Sequence, residues 1–299
     1  PKYRIQDYQL AGAEALIRWN HPEWGFQSPA EFIPLFEKNG FITKLDQFVW
    51  DRTCAALRSW DDKGLPAIAV SVNVSRADIY NANLADFLMN TVNKYGLSPS
   101  RLHLEITESA YAEDTTAVAA VVEGLRTAGF TVLMDDFGSG YSSLNMLKDV
   151  NVDVLKIDMK FLDMDEQSVG KGVGILEAIT NMARLMGLRL IAEGVETREQ
   201  VDFLLNLGCI YGQGYYFYRP MPVADLEARL SDERNVDFRG LTAPGVERLS
   251  LDELLRGGVA SDILINNILG GVAFYDVLGD QIELTRANVQ YYKVTRTNP

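Results

Sequence analysis

Short apolar runs that end in an acid, an amide or a lysine recur along this chain, and most are followed by an amphipathic stretch of helix length. Ile68–Val74 alternates Val70, Val72 and Val74 against Ser71, Asn73 and Ser75. Arg101–Thr107 sets Leu102, Leu104 and Ile106 against His103, Glu105 and Thr107. Phe130–Gly140 runs into the adjacent acids Asp135 and Asp136 and then a glycine-rich turn. Val152–Asp158 carries Lys156 and Asp158 on one face, and Leu188–Glu193 ends in Glu193. Alternation with period 2 marks strands. Gly12–Trp19 reads as another, with Glu14, Leu16 and Arg18 sharing a face, and Cys209–Phe217 as a last short strand region.

Helix signals separate these runs. Ser28 and Pro29 open one, with Glu31 placed to close a capping box, and Asn39-Gly40 ends it. Amphipathic stretches follow over about Lys44–Lys63, Leu84–Lys94, Thr115–Ala128, Ser168–Met186 and 222–230, and a second capping box, Thr197 with Gln200, starts a helix that reaches about Asn206. Strands alternating with helices make a parallel sheet. About seven or eight such units fit residues 1–230, which suits a closed barrel better than a doubly wound sheet. Barrels of this kind carry their sites at the C-terminal ends of the strands, where Asn73, Glu105, Asp135, Asp136, Lys156, Asp158 and Glu193 fall.

The chemistry of that rim is set by oxygen. Two adjacent carboxylates repel, so either one holds a proton or both hold metal. Oxygen-rich ligands without His or Cys select hard ions, Mg²⁺ or Mn²⁺. Glu14, Asn73, Glu105 and Asp135 suit one octahedral site, and Asp135, Asp136 and Glu193 a second. Water between two such ions is acidified enough to attack phosphorus. Lys156 is suited to pin that water or to offset charge on phosphoryl oxygens, and Arg18 to fork onto a phosphate. Each residue also has an ordinary structural use: Glu14 with Arg18 as a surface pair, Lys156 with Asp158 as an internal salt bridge, Glu193 and Glu196 as helix caps. An acidic barrel with a strand-end lysine also describes enolase-type proton abstraction, against which the adjacent Asp135-Asp136 pair argues.

Composition narrows the partners. With 28 basic and 41 acidic residues the net charge is −13, which opposes DNA binding but leaves room for a small anion neutralised by metal. Cys54 and Cys209 lie in apolar surroundings without partner spacing and read as buried thiols in a reducing compartment. No apolar run reaches the roughly 18 residues of a membrane span, and no signal-like segment opens the chain, so a cytoplasmic location is expected, in a parent protein that a membrane anchor elsewhere could hold.

Glu14-Ala15-Leu16, Asn73, Glu105 through Glu108, Asp135 through Gly140, Lys156-Ile157-Asp158, Glu193 through Glu196 and Gln213-Gly214 occur in an order that resembles the EAL-domain phosphodiesterases over residues 1 to about 230. The resemblance implies hydrolysis of cyclic di-GMP to linear pGpG in bacterial second-messenger signalling, or else a catalytically idle cyclic di-GMP receptor. It implies a modified TIM (β/α)8 barrel whose first strand runs antiparallel to the rest. It implies metal ligation by Glu14, Asn73, Glu105 and Asp135 with Asp136 on the second ion, and catalytic assistance from Lys156 and Glu193. Asp158 and Glu196 would support them, Leu16, Arg18 and Gln213 would touch the nucleotide, and Glu108 would brace the loop 137–148 that couples the site to a dimer partner. Family members have further first-strand residues, including a substrate-facing glutamine, before the position of Pro1, so the segment looks cut from a longer chain.

Residues 231–299 differ. Arg239–Val246 lacks periodicity, Leu249–Arg256 and Ile263–Ile268 suggest short helices, and Val272–Leu278 with Gln281–Thr285 suggests a hairpin around Gly279-Asp280. This linker and short α+β extension resembles the opening of a PAS-type sensory domain, which implies fusion to regulatory domains in a larger signalling protein.

Overall fold

The strand-end pattern closes into a ring. A computed structural model describes residues 1–138, 151–159, 169–241, 273–278, 281–287 and 289–295. Eight strands form a closed barrel: β1 (Lys2–Arg4), β2 (Gln9–Glu14), β5 (Ala69–Asn73), β6 (Leu102–Thr107), β7 (Thr131–Phe137), β8 (Val154–Asp158), β9 (Arg189–Glu193) and β10 (Tyr211–Gly212). Neighbours from β2 through β10 pair in parallel, while β1 closes the ring antiparallel to both β2 and β10. The antiparallel first strand is therefore present.

Helices cover the outside, among them α1 (Pro29–Asn39), α2 (Ile42–Asp62), α3 (Arg76–Ile79), α4 (Leu84–Lys94), α5 (Glu108–Glu113) and α6 (Thr115–Thr127). After β8 come α7 (Val169–Leu185), α8 (Arg198–Leu207) and α9 (Val223–Leu230). Alternation sends Val70, Val72, Leu104, Ile106, Val132 and Leu155 outward, where they join Trp50 and Leu57 of α2, Leu88 of α4 and Val122 of α6 in the main core. A second cluster of Ala11, Leu133, Val154, Ile191, Tyr211 and Leu241 packs apart from it.

Thr197 and Gln200 form their capping box, with both reciprocal bonds present. The box expected at Ser28 does not form: Ser28 is the N-cap and Pro29 opens α1, but the Ser28 backbone carbonyl, not its hydroxyl, accepts from Glu31 N–H at 2.9 Å. The strand expected over Gly12–Trp19 ends at Glu14, and Leu16 and Arg18 lie beyond the sheet. There the chain leaves the barrel rim and folds a small hairpin, β3 (Trp19–His21) with β4 (Gly25–Gln27).

The packing continues past α9. A short bridge joins Val236 to Leu10, and Asp237 N–H donates to the Leu10 carbonyl at 2.9 Å. Asp237 also takes a 2.8 Å bond from Arg4 and a 3.2 Å bond from the Tyr211 hydroxyl. The Gly240 carbonyl accepts from Arg189, and Leu241 enters the second core cluster. Leu10, Arg189 and Tyr211 stand at or near the beginnings of their strands, so residues 233–241 strap the barrel end opposite the acids.

Near the C-terminus, β11 (Ala273–Leu278) and β12 (Gln281–Ala287) pair antiparallel, and α10 (Val289–Thr295) follows. The helices expected over Leu249–Arg256 and Ile263–Ile268, and the Gly279-Asp280 turn, lie outside the described residues.

Candidate active site: acids around Lys156

Lys156 is 1 % exposed and organises the rim. Its Nζ lies 2.6 Å from Glu105 Oε2, 2.7 Å from Glu193 Oε1, 3.1 Å from Asp135 Oδ1 and 3.7 Å from Glu14 Oε2. These acids stand at or near the C-terminal ends of β2, β6, β7 and β9, so the parallel register alone brings them together. Burial works against the ammonium, but Glu105, Glu14, Glu193 and Asp135 outweigh it and hold its pKa well above the lysine range. The alternative use of Lys156, a salt bridge to Asp158, is not among these four ion pairs; Asp158 ends β8 in register with Glu193.

The acids differ by environment. Burial pushes the Glu193 carboxyl up to about 8, against the pull of Lys156. Burial also raises Asp135, with Glu105 and Asp136 adding to the effect. Glu105 is fully buried, which alone would disfavour its charge, yet Lys156 and Lys2 hold its pKa well below the carboxylate range. Gln213 Nε2 bridges Glu14 Oε2 and Glu193 Oε1, both at 2.8 Å, and so spaces two of the acids.

Asp136 depends on a bulge. Strict alternation would send the neighbour of Asp135 into the helix layer. The pairing of β7 with β8 shifts between Met134 and Phe137, and Asp136 takes the left-handed φ of 56°. Its side chain stays exposed at the rim instead of entering the core, and its backbone N–H donates to Asp135 Oδ1 at 2.8 Å.

The remaining candidates fall around this ring. Asn73 ends β5, exposed and in register with Glu105, and its carbonyl accepts from the Trp50 indole at 3.0 Å. Leu16 and Arg18 are exposed beyond β2, with the Arg18 guanidinium donating to the Ile17 carbonyl. Glu108 is buried, and its Oε2 accepts from Gly138 N–H at 2.7 Å; the rest of the loop it was expected to brace, through residue 148, lies outside the described residues. Glu196 is exposed, just before the N-cap of α8. Gly214 holds the segment after Glu193 in place: at φ 153° it lies so close to Val195 that a Cβ there would fall 2.2 Å from the Val195 carbonyl oxygen.

Lys2 is the site residue that sequence reasoning missed. It is 0 % exposed and donates to Glu105 Oε1 at 2.7 Å. A three-residue strand carries no alternation from which an inward lysine could be read.

Among the described residues, no group of three or more acids, histidines or cysteines stands in ligand geometry for a metal ion, and Glu105 and Glu193 are turned onto the lysine. The donor set nevertheless fits a hard divalent ion. Every donor is oxygen, and four closely spaced acids face two ammonium groups. Burial first, and then the neighbouring acids, raise the pKa of Glu193 and Asp135, and a bound cation would favour their charged forms.

Fold and site together define a modified (β/α)8 barrel with an acidic, lysine-centred pocket at the strand ends. The chain belongs to the EAL domain family, whose profile matches residues 1–220. It is 38% identical over 231 residues to the bifunctional diguanylate cyclase/cyclic di-GMP phosphodiesterase MucR of Pseudomonas aeruginosa, covering 77% of this chain and 34% of that protein. It is 39% identical over 227 residues to the cyclic di-GMP phosphodiesterase NbdA of the same organism, covering 76% and 29%. The chain thus spans about a third of the length of these curated relatives. Among solved structures, the PaMucR phosphodiesterase in complex with c-di-GMP superposes with a TM-score of 0.71 at 39% identity, covering 76% of this chain and 91% of that one. The EAL domain of Mycobacterium smegmatis DcpA superposes with a TM-score of 0.63 at 28% identity, covering 77% and 93%.

Proposed function

We propose that this domain is a metal-dependent phosphodiesterase that hydrolyses cyclic di-GMP to pGpG in bacterial second-messenger signalling. The observation that carries the reading is the convergence of Glu14, Glu105, Asp135 and Glu193, from four strands, on Lys156 at the barrel rim. Family membership and the phosphodiesterase names of its relatives support it.

Glu14, Asn73, Glu105 and Asp135 would hold one Mg²⁺ or Mn²⁺ and Asp136 the second, with Glu193 beside it. Such a pair of ions lowers the pKa of water and offsets charge on a phosphodiester. The chain's own residues do the rest. Lys156 keeps its proton and offers Nζ–H donors to an attacking water or to phosphoryl oxygens. Gln213 fixes the spacing of Glu14 and Glu193, and with Leu16 and Arg18 at the mouth it meets the nucleotide. Glu108 anchors the start of the following loop through Gly138, and Asp158 and Glu196 support the rim.

The same reading places the barrel, over residues 1–230, in the cytoplasm as a homodimer. No helix among the described residues is long and apolar enough to cross a membrane. Residues 231–299 would lead into a PAS-type sensory domain, a reading supported by the order of hairpin and then helix in β11, β12 and α10. A direct test is thermal. Mg²⁺ or Mn²⁺ binding to the native state alone raises the melting temperature of the parent protein and fails to raise that of Asp135→Asn. A parent melting temperature indifferent to both ions contradicts the metal site.

A further inference from the structure

Glu105 is the deepest acid of the ring, and its two oxygens are divided. Oε2 faces Lys156 at 2.6 Å, while Oε1 faces Lys2 at 2.7 Å. Lys2 in turn is fixed by the Ser71 hydroxyl at 2.6 Å, and that hydroxyl donates to the Ala13 carbonyl at 3.3 Å. One chain of bonds therefore ties β1 to β2, β5 and β6 inside the barrel. The two lysines differ in company and in access. The side chains of Glu14, Asp135 and Glu193 around Lys156 are 12%, 13% and 18% exposed, so a cation arriving at the mouth reaches them. Lys2, with 1% of its side chain exposed, lies out of such reach on the other oxygen of Glu105.

Resting on the phosphodiesterase reading above, we infer that Lys2 is a positioning residue for metal binding. It pins Glu105 by one oxygen so that the other is presented to the pocket, and it supplies that buried carboxylate with a permanent counter-charge. A buried carboxylate cannot be left unpaired without large cost. Without Lys2, Glu105 would depend on Lys156 alone, and Lys156 could not turn to substrate. With Lys2 in place, Glu105 would stay oriented toward the pocket when Lys156 turns from the outer acids, Glu14, Asp135 and Glu193, which would then be free to hold a divalent ion. Partners that orient a ligand in this way are worth about 10–100-fold in metal affinity or activity.

The test is Mn²⁺ binding by calorimetry, with turnover of cyclic di-GMP, in the parent protein, Lys2→Met and Ser71→Ala. Methionine keeps the unbranched shape and removes the charge. Lys2→Met is expected to bind Mn²⁺ about 10–100-fold more weakly and to lose kcat in proportion, with KM for the nucleotide unchanged because Lys2 faces no solvent. Ser71→Ala keeps both charges but removes one of the two partners that fix Lys2, leaving Glu105 alone, and is expected to weaken Mn²⁺ several-fold in the same direction. Folded Lys2→Met with parental Mn²⁺ affinity overturns the inference. If Lys2→Met does not fold, Ser71→Ala decides, and parental affinity there overturns it equally. A parent protein that binds no Mn²⁺ contradicts the phosphodiesterase reading itself, which separates the two failures.

Discussion

At the scale of single residues, Asp136 shows what the site costs the fold. A non-glycine residue at φ 56° sits in a region that L-residues rarely adopt, at a cost on the order of 1–3 kcal/mol. The bulge is what keeps two adjacent carboxylates at one rim, and nothing in the spacing of FTVLMDDF announces it, because simple alternation predicts opposite faces. The adjacency of Asp135 and Asp136 was legible as chemistry while the backbone that serves it was not. Asp136→Gly is expected to be more stable than Asp136→Ala by about 1 kcal/mol, since alanine keeps the strained φ and glycine does not. Both variants should lose most turnover. Denaturant melts of the two check this, and equal stabilities would contradict the strain.

Among elements, the strands with clear alternation were legible to within a residue or two. β6 and β9 start one residue inside the expected ranges, and β8 starts two inside. Strand β1 was not, since three residues hold no period, and neither was the hairpin of β3 and β4, whose Trp19–His21 arm was read in part as strand β2. The turn after β5 carries a further feature. Asp46 of α2 and Asp78 of α3 meet there, 8% and 1% exposed, and both hold Ser75: its N–H donates to Asp46 at 3.2 Å and its hydroxyl to Asp78 at 2.5 Å. Burial, with the neighbouring Asp78, pushes the Asp46 carboxyl up to about 8. The unfolded chain gives up that proton near the ordinary carboxyl pKa of about 4, so the native state binds more protons between the two values. Stability should therefore fall as pH rises from about 5 to 8, by at most about 1.4 kcal/mol per unit for this one group. Asp46→Asn keeps a donor toward Asp78 and cannot ionise, so it should flatten that slope. Denaturant melts of parent and variant at pH 5 and 8, both without added metal, measure the difference; parallel slopes would contradict the raised pKa of Asp46.

In the whole molecule, the two ends of the barrel do different work. The C-terminal rim collects charge, and the N-terminal end is shut by the strap that Asp237, Gly240 and Leu241 provide. The barrel itself was legible from the count of strand–helix units. The contacts of the strap were not, because they come from an aperiodic stretch anchored at single positions, Val236, Asp237, Gly240 and Leu241, with no repeating pattern to announce them. Leu241 is 3% exposed, and Leu241→Ala should cost about 2–5 kcal/mol in a denaturant melt. It should leave KM for the nucleotide unchanged, since the opposite rim stays intact. A loss below about 0.5 kcal/mol would contradict the strap's part in the core.

If the acids around Lys156 hold the ions required for hydrolysis of cyclic di-GMP, then the protein incubated with cyclic di-GMP and Mg²⁺ or Mn²⁺, followed by chromatography, yields pGpG only when the ion is present, and Asp135→Asn yields none. Intact cyclic di-GMP that binds tightly but is never cut would contradict that expectation and make the barrel a receptor.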